Sequence, residues 1–208
     1  MTKRKNQKRF SEETWLLDSA IAEIYAANAG FGSMEAAESK LLGVLELKPN
    51  LEERVEAFNL LAQLYAQTAR HRDALEYFAS ALAAGPGAAA PLTEGLAEMF
   101  ENQEEWEQAI GVYMQGLTRC EDARLHNGLG YCLDKAGRLR EAEHHHRRAM
   151  ELAPDVTAYA NDLGYVLLEQ GELQQARVHF ERALYLDPAY ELARNNLSLC
   201  SKQASELR

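Results

Sequence analysis

Apolar side chains recur along the chain at the spacing of amphipathic helices, and small residues interrupt them at regular places. Between residues 157 and 190 the apolar positions form two groups with i, i+3 or i+4 spacing: Leu163, Val166 and Leu167, then Ala176, Phe180, Ala183 and Leu184. Gly171 lies between the groups and Pro188 follows the second. Since glycine favours a turn and proline ends a helix, the pattern predicts two helices joined by a turn.

This pattern repeats with a period of 34 residues. Aligning residues 123–156 with residues 157–190 brings small residues and prolines into register: Gly130 with Gly164, Gly137 with Gly171, Ala142 with Ala176, Ala149 with Ala183 and Pro154 with Pro188. Three upstream segments follow the pattern more loosely, and the twentieth residue of all five is alanine: Ala37, Ala74, Ala109, Ala142 and Ala176. A fixed period of this length predicts stacked helix pairs that bury their apolar faces against one another.

The repeat also predicts how the chain is divided. We expect a disordered basic tail at 1–10, a divergent helix pair at 11–54, and regular helix pairs at 55–89, 90–122, 123–156 and 157–190. Residues 191–208 match a single first helix, so we expect a capping helix and tail there. The glycines and prolines of residues 83–91 predict an irregular joint, either a hinge or a rigid turn.

The repeating unit resembles the tetratricopeptide repeat, a helix–turn–helix with small residues at two crossing points, an aromatic residue and a closing proline. Gly130 with Ala142, and Gly164 with Ala176, occupy the small positions. The resemblance covers about residues 18–190. It implies an all-α, right-handed superhelical solenoid, in which the first helix of each pair lines a concave face that binds ligands.

On that face the resemblance places the second, fifth, ninth and twelfth residues of each pair, with neighbours at the sixth and thirteenth. These places carry a repeated amide, two tyrosines and two further polar residues: Asn59, Asn127, Asn161, Asn195, Tyr131, Tyr165, Gln63 and Arg124. An amide donates and accepts hydrogen bonds, so the asparagines suit either a bound peptide backbone or mutual bonding within the stack. Tyrosine is favoured at binding surfaces. We therefore predict a peptide-binding site at these residues.

Charge is distributed unevenly along the chain. Residues 1–10 carry five Lys or Arg residues and no acid, while the whole chain has a net charge of −10, so the remainder carries about −15. Acids also outnumber bases at the inward places: Glu94, Glu98, Glu101, Asp134, Asp162 and Glu169 against Arg124 and Lys135. This predicts a polar or basic peptide as the partner, and it argues against nucleic acid and against acidic chaperone tails.

Few residues suggest chemistry of their own. His144, His145 and His146 are consecutive, and because successive helical residues diverge by about 100°, they cannot face one metal ion. His146 is expected to pack beside His126. No glycine-rich phosphate loop or nucleophile–base motif is present, so we expect neither an enzyme nor a cofactor. No stretch approaches the roughly 20 apolar residues of a membrane helix, and we expect a cytoplasmic protein without membrane insertion.

The sequence therefore predicts a non-catalytic protein-interaction module, a scaffold or adaptor that binds a peptide or protein segment in a concave groove. Three alternatives stay open at this point. The chain could form homo-oligomers as a structural protein, with its basic tail in a neighbour's acidic groove. It could act as a chaperone for a secreted or membrane-associated client, or as the non-catalytic subunit of an enzyme.

Overall fold

The computed structural model describes residues 11–206, so the predicted basic tail at 1–10 lies outside the described residues. Within them the chain is built from α-helices and one short 3₁₀ helix, which confirms the predicted all-α repeat fold. The helices divide into two compact units, an N-terminal unit (Met1–Ala88) and a C-terminal unit (Ala89–Arg208). No helix among residues 11–206 combines the length and apolarity needed to span a membrane.

The N-terminal unit contains two helix pairs, α1 (Glu12–Asn28) with α2 (Met34–Glu46) and α3 (Leu51–Gln67) with α4 (His71–Ala84). Helix α3 packs against α2 as well as α4, so the two pairs share one core. A 3₁₀ helix (Pro86–Ala88) follows, inside the segment predicted to be irregular. Whether that segment bends as a hinge stays a prediction.

Helix α3 starts four residues before the predicted boundary between residues 54 and 55. Its start is fixed by a reciprocal capping box. Asn50 Oδ1 accepts a hydrogen bond from the backbone N–H of Glu53 at 3.0 Å, and the Glu53 carboxylate accepts one from the backbone N–H of Asn50 at 3.2 Å. Such a box satisfies two backbone donors that otherwise lack partners. The local capping residues therefore extend the helix beyond the 34-residue pattern.

The C-terminal unit contains three helix pairs and a final helix. The pairs are α5 (Ala89–Asn102) with α6 (Trp106–Leu117), α7 (Ala123–Lys135) with α8 (Leu139–Leu152), and α9 (Thr157–Glu169) with α10 (Leu173–Leu186). The final helix, α11 (Glu191–Glu206), packs against α10 and also contacts α9. The first helices are neighbours along the unit, since α5 contacts α7, α7 contacts α9, and α9 contacts α11.

Close helix crossings explain the repeated small residues. A Cβ atom added to Gly164 would lie 2.7 Å from the ring of Phe180, and one added to Gly130 would lie 2.8 Å from the ring of His146. Such contacts are too short for any side chain, so glycine is required where α7 meets α8 and where α9 meets α10. The predicted steric role of these glycines is confirmed.

Candidate functional site

The first helices of the C-terminal unit border a cleft. It has a volume of about 240 Å³, and its walls come from α7, α9 and α11, with His146 of α8 at its base. Two of the predicted site residues on its walls are Tyr131 of α7 and Tyr165 of α9. We call this depression the α7–α9–α11 cleft.

A chain of hydrogen-bonded side chains runs beneath and along this cleft, and we call it the amide relay. His146 Nδ1 lies 2.9 Å from Asn127 Oδ1, and Asn127 Nδ2 donates to Asp162 Oδ2 at 3.0 Å. Asn161 Nδ2 donates to Asp162 Oδ1 at 3.2 Å and its Oδ1 accepts from Asn196 Nδ2 at 3.0 Å. The relay joins α8, α7, α9 and α11 by hydrogen bonds between side chains alone.

The relay also fixes the protonation pattern of His146. Asn127 Oδ1 can only accept a hydrogen bond, so His146 Nδ1 must carry the proton that it donates. Burial holds the pKa of His146 at about 4, well below its usual 6.5, because the charged ring would lose its hydration. At neutral pH the relay therefore contains an uncharged imidazole.

The side-chain amides of Asn127 and Asn161 are hydrogen-bonded within the helix stack, and Asn161 bonds to another asparagine, Asn196. Asn161 is only 5% exposed, and its side-chain Nδ2 and Oδ1 atoms both form hydrogen bonds within the protein. Asn195 lies on the exposed side of α11, and its neighbour Asn196 joins the relay instead. The relay links residues 35 positions apart, whereas the sequence repeats every 34, so the bonding partner shifts by one residue.

The remaining predicted residues are placed differently. Asn59 and Gln63 belong to α3 of the N-terminal unit and are half-buried. Among the described residues Asn59 Oδ1 is buried without a hydrogen-bond partner. Arg124 is exposed, and its guanidinium binds Asp122 at 3.0 Å and Glu94 at 3.2 Å. Since these carboxylates already neutralise Arg124, it adds little positive charge to the cleft.

Two tyrosines, one repeat apart, form the aromatic part of the cleft wall. Tyr131 is 42% exposed, and its ring meets that of Trp106 edge-on, with centroids 6.0 Å apart. Lys135 Nζ lies 5.4 Å from the centroid of the Tyr131 ring. Tyr165 is half-buried, and burial together with the nearby Glu169 raises the pKa of its hydroxyl. Both rings present apolar area next to polar groups.

Sequence reasoning did not identify Trp106, which steadies Tyr131. It lies at the start of α6, outside the inward places of the first helices. The signal that could have found it is its size, because a large aromatic at a helix start beside a turn needs a surface to cover.

The carboxylates of the cleft are held in a partly dehydrated setting. Burial raises the pKa of Asp162, while hydrogen bonds from Asn127 and Asn161 lower it in part. Burial also raises the pKa of Asp134; Lys135 opposes that rise, while Glu169 and Asp162 add to it. A group that brings positive charge would relieve this repulsion, so the cleft favours a cation over an anion.

The histidine run forms no metal site. Within residues 11–206 no three His, Cys, Asp or Glu side chains converge in a way that could hold a metal ion. The sequence placed His146 beside His126, but His126 pairs with His145 instead, with their Nδ1 atoms 2.9 Å apart and their rings stacked. His146 turns towards Asn127 because Gly130 leaves room for its ring.

Comparison with known proteins supports the resemblance. Family models described as tetratricopeptide repeat match residues 92–124 and residues 158–190. No curated protein matches the sequence. Among solved structures, the second TPR domain of human RPAP3, in complex with the HSP70 peptide SGPTIEEVD, is 24% identical, with a TM-score of 0.55 over 56% of this chain and 98% of that one.

Two longer structures are also similar. YrrB, described as a TPR protein with an unusual peptide-binding site, is 19% identical, with a TM-score of 0.57 over 86% of this chain and 89% of YrrB. The MamA protein is 16% identical, with a TM-score of 0.60 over 74% of this chain and 84% of MamA. At these identities the likeness concerns the fold.

Proposed function

This chain is a tetratricopeptide repeat protein, and we propose that it is a non-catalytic scaffold or adaptor which binds an extended, basic peptide segment in the α7–α9–α11 cleft. The observation that carries the proposal is the composition of that cleft. Two partly exposed tyrosines stand one repeat apart, and the partly buried carboxylates of Asp134 and Asp162 line the same cleft.

The amide relay prepares Asp162 for this role. Each of its oxygens accepts one hydrogen bond from an asparagine, which fixes the carboxylate in the wall between α7 and α9. A carboxylate has about four lone-pair sites, so both oxygens can accept further bonds from a ligand. A positioned acceptor binds more tightly than a mobile one because less side-chain entropy is lost.

The tyrosines suit the same ligand. An ammonium or guanidinium group binds the face of an aromatic ring, and a basic side chain also lays its aliphatic stem along it. Lys135 Nζ lies 5.4 Å from the centroid of the Tyr131 ring, which supports the idea that a cation can approach this ring. A lysine or arginine of a bound segment would therefore contact a ring and a carboxylate together.

The solved relatives support peptide binding, but with a different charge. The second TPR domain of RPAP3 is described in complex with the HSP70 peptide SGPTIEEVD, which carries acidic residues and no basic ones. In this chain the cleft holds Asp134 and Asp162 against Lys135 alone, and Arg124 is neutralised by its own neighbours. The charge of the cleft thus favours a basic segment.

A cytoplasmic location is part of the proposal. The cysteines Cys120, Cys132 and Cys200 are all unpaired within the described chain. Unpaired cysteines are typical of proteins in reducing compartments, where disulfides are rare.

A peptide array that varies net charge at constant length tests this function. Basic peptides should bind and acidic ones should not. The double variant Tyr131→Ala/Tyr165→Ala should bind at least about tenfold more weakly, since each good interface anchor contributes roughly 1–3 kcal/mol. Tyr185→Ala is the matched control, because Tyr185 is 77% exposed on α10 and lies outside the cleft lining.

Circular dichroism would establish that both variants keep the helical fold. Preference for acidic peptides would contradict the proposed charge. Equal binding by wild type and the double variant would place the peptide site elsewhere on the protein.

A further inference from the structure

The chain itself carries a strongly basic segment of the kind that the proposed cleft favours. Residues 1–10 read MTKRKNQKRF and contain five Lys or Arg residues without an acid, whereas the rest of the chain is acidic. We propose that residues 1–10 of one copy bind in the α7–α9–α11 cleft of a second copy. The inference rests on the proposed function, because it uses the same cleft and names its occupant.

The spacing of the basic residues fits the width of the site. Neighbouring packed helices lie about 8–10 Å apart, so a segment crossing from α7 past α9 to α11 must span about 20 Å. An extended chain covers about 3.3–3.6 Å for each residue. The stretch from Lys3 to Arg9 is therefore long enough to bring a basic side chain to each of these helices.

The cleft offers matching groups along this path. Asp134 stands on α7 and Asp162 on α9, and the exposed Glu169 lies close enough to Asp134 to raise its pKa. At the α11 side, Leu192 is 58% exposed and borders the cleft. Phe10 directly follows the last basic residue, and its aromatic ring is large enough to cover Leu192.

Charge also explains why two acidic molecules would associate. The net charge of −10 makes two copies repel at long range. Placing a basic segment against the carboxylates of a partner offsets that repulsion at the contact. Because both effects are screened by ions within a Debye length of about 8–10 Å, association should weaken as salt concentration rises.

The contact joins different surfaces on the two copies, so it is heterologous. Each copy supplies one basic segment and one cleft, and an exchange between two copies closes into a dimer while a one-way contact continues into a chain. This property gives the test its design, because segment and cleft can be disabled separately and then combined.

Two full-length variants carry the test. The segment variant replaces the five basic residues by glutamine: Lys3→Gln, Arg4→Gln, Lys5→Gln, Lys8→Gln and Arg9→Gln. The cleft variant is Tyr131→Ala/Tyr165→Ala. Analytical ultracentrifugation at low salt should show concentration-dependent association of wild type, and association at least about tenfold weaker for either variant alone. An equimolar mixture should associate again, because one variant keeps the cleft and the other keeps the segment.

Other results would overturn the inference. A segment variant that associates as strongly as wild type would exclude residues 1–10 from the contact. A mixture no more associated than its components would do the same. If wild type stays monomeric and the segment variant binds an added MTKRKNQKRF peptide more tightly than wild type does, the segment occupies the cleft of its own chain and not that of a second copy.

The synthetic peptide MTKRKNQKRF separates failure of this inference from failure of the proposed function. If other basic peptides bind the segment variant and this one does not, the cleft is a peptide site with a different occupant. If no basic peptide binds, the proposed function fails as well. Circular dichroism of both variants checks that lost association does not reflect lost folding.

Discussion

Asn59 in the N-terminal unit and Asn127 in the C-terminal unit occupy the same place in the repeat, two periods apart, yet their surroundings differ. Asn127 bonds to His146 and Asp162 through both ends of its amide. Asn59 Oδ1 is buried without a partner among residues 11–206. The residue nineteen positions on explains the contrast, because it is His146 in one unit and Phe78, which cannot donate, in the other.

The comparison shows what a recurring polar residue indicates. Asparagine at a regular place on successive helices suggested a row of groups for a peptide backbone, but in the C-terminal unit the amides bind one another and a carboxylate. Tyr131, Tyr165 and the carboxylates of Asp134 and Asp162 are the groups of the cleft on which the proposed peptide site rests. A repeated polar residue therefore gains its role from the partner that its own helix stack supplies.

The largest change in stability should come from lowering the pH, because the C-terminal unit has His146 where the N-terminal unit has Phe78. The pKa of buried His146 is about 4 in the folded protein against an ordinary 6.5. Below pH 6.5 His146 binds a proton in the unfolded chain but not in the folded protein. Stability therefore falls as the pH drops from 6.5 to about 4. At 1.36 kcal/mol for each pKa unit, the loss reaches roughly 3 kcal/mol.

The variant His146→Phe, which copies the arrangement at Phe78, isolates this contribution. Urea unfolding would be followed by fluorescence of Trp106 in a Trp15→Phe background, because the chain has two tryptophans and Trp106 lies in the C-terminal unit. We expect the steeper loss of stability below pH 6.5 in the protein that keeps His146. Parallel pH dependences in the two proteins would show that His146 has the same pKa in the folded protein as in the unfolded chain.

Removing the asparagine from each unit should have the next largest effect. Asn127→Ala leaves the buried His146 N–H without its acceptor and takes one donor from Asp162, which should cost about 1–3 kcal/mol. Asn59→Ala removes a buried oxygen that has no partner within the described chain, so its cost should be well under that of Asn127→Ala.

Each asparagine variant would be unfolded in urea with the tryptophan of its own unit as reporter, Trp15 for Asn59 and Trp106 for Asn127. Equal losses of free energy of unfolding in the two units would mean that the amide relay adds no stability beyond that of a lone asparagine. The difference in stability that we expect between Asn59 and Asn127 would then be wrong.

Much of the fold was predictable because it depends on steric rules that act on single residue types. The period of 34 residues, the glycines beneath His146 and Phe180, and the all-α architecture follow from spacing and size. Helix α3 begins at Leu51, before the predicted repeat boundary, because the cap built from Asn50 and Glu53 depends on local residues and not on the period.

The site was less predictable, since hydrogen bonds depend on distances that a repeat pattern does not specify. Sequence alignment picked Asn195 because it assumes that equivalent residues meet equivalent residues. In the structure Asn196, one residue further along, is the residue that bonds to Asn161. The pairing of His126 with His145 was also not predicted. Adjacent histidines on α8 differ in direction by about 100°, so a shift of one residue changes which of them meets His126.

The smallest effect concerns the turn inside each helix pair, where glycine at some turns and a residue with a Cβ at others adopt the same left-handed conformation. Gly137 and Gly171 have φ values of 76° and 79° in the C-terminal unit, and Ala69 has a φ of 57° at the matching turn of the N-terminal unit. A left-handed φ costs a residue with a Cβ about 1–2 kcal/mol. Glycine avoids this cost, but it loses more conformational entropy on folding, which offsets part of the advantage. Ala69→Gly should therefore stabilise the protein by about 0.5–1 kcal/mol, and Gly171→Ala should destabilise it by a similar amount, both measured by urea unfolding. Changes of opposite sign in the free energy of unfolding would show that the repeats share the turn conformation and not the residue. A loss of stability in Ala69→Gly would mean that contacts of the Ala69 methyl group contribute more stability than the backbone strain costs.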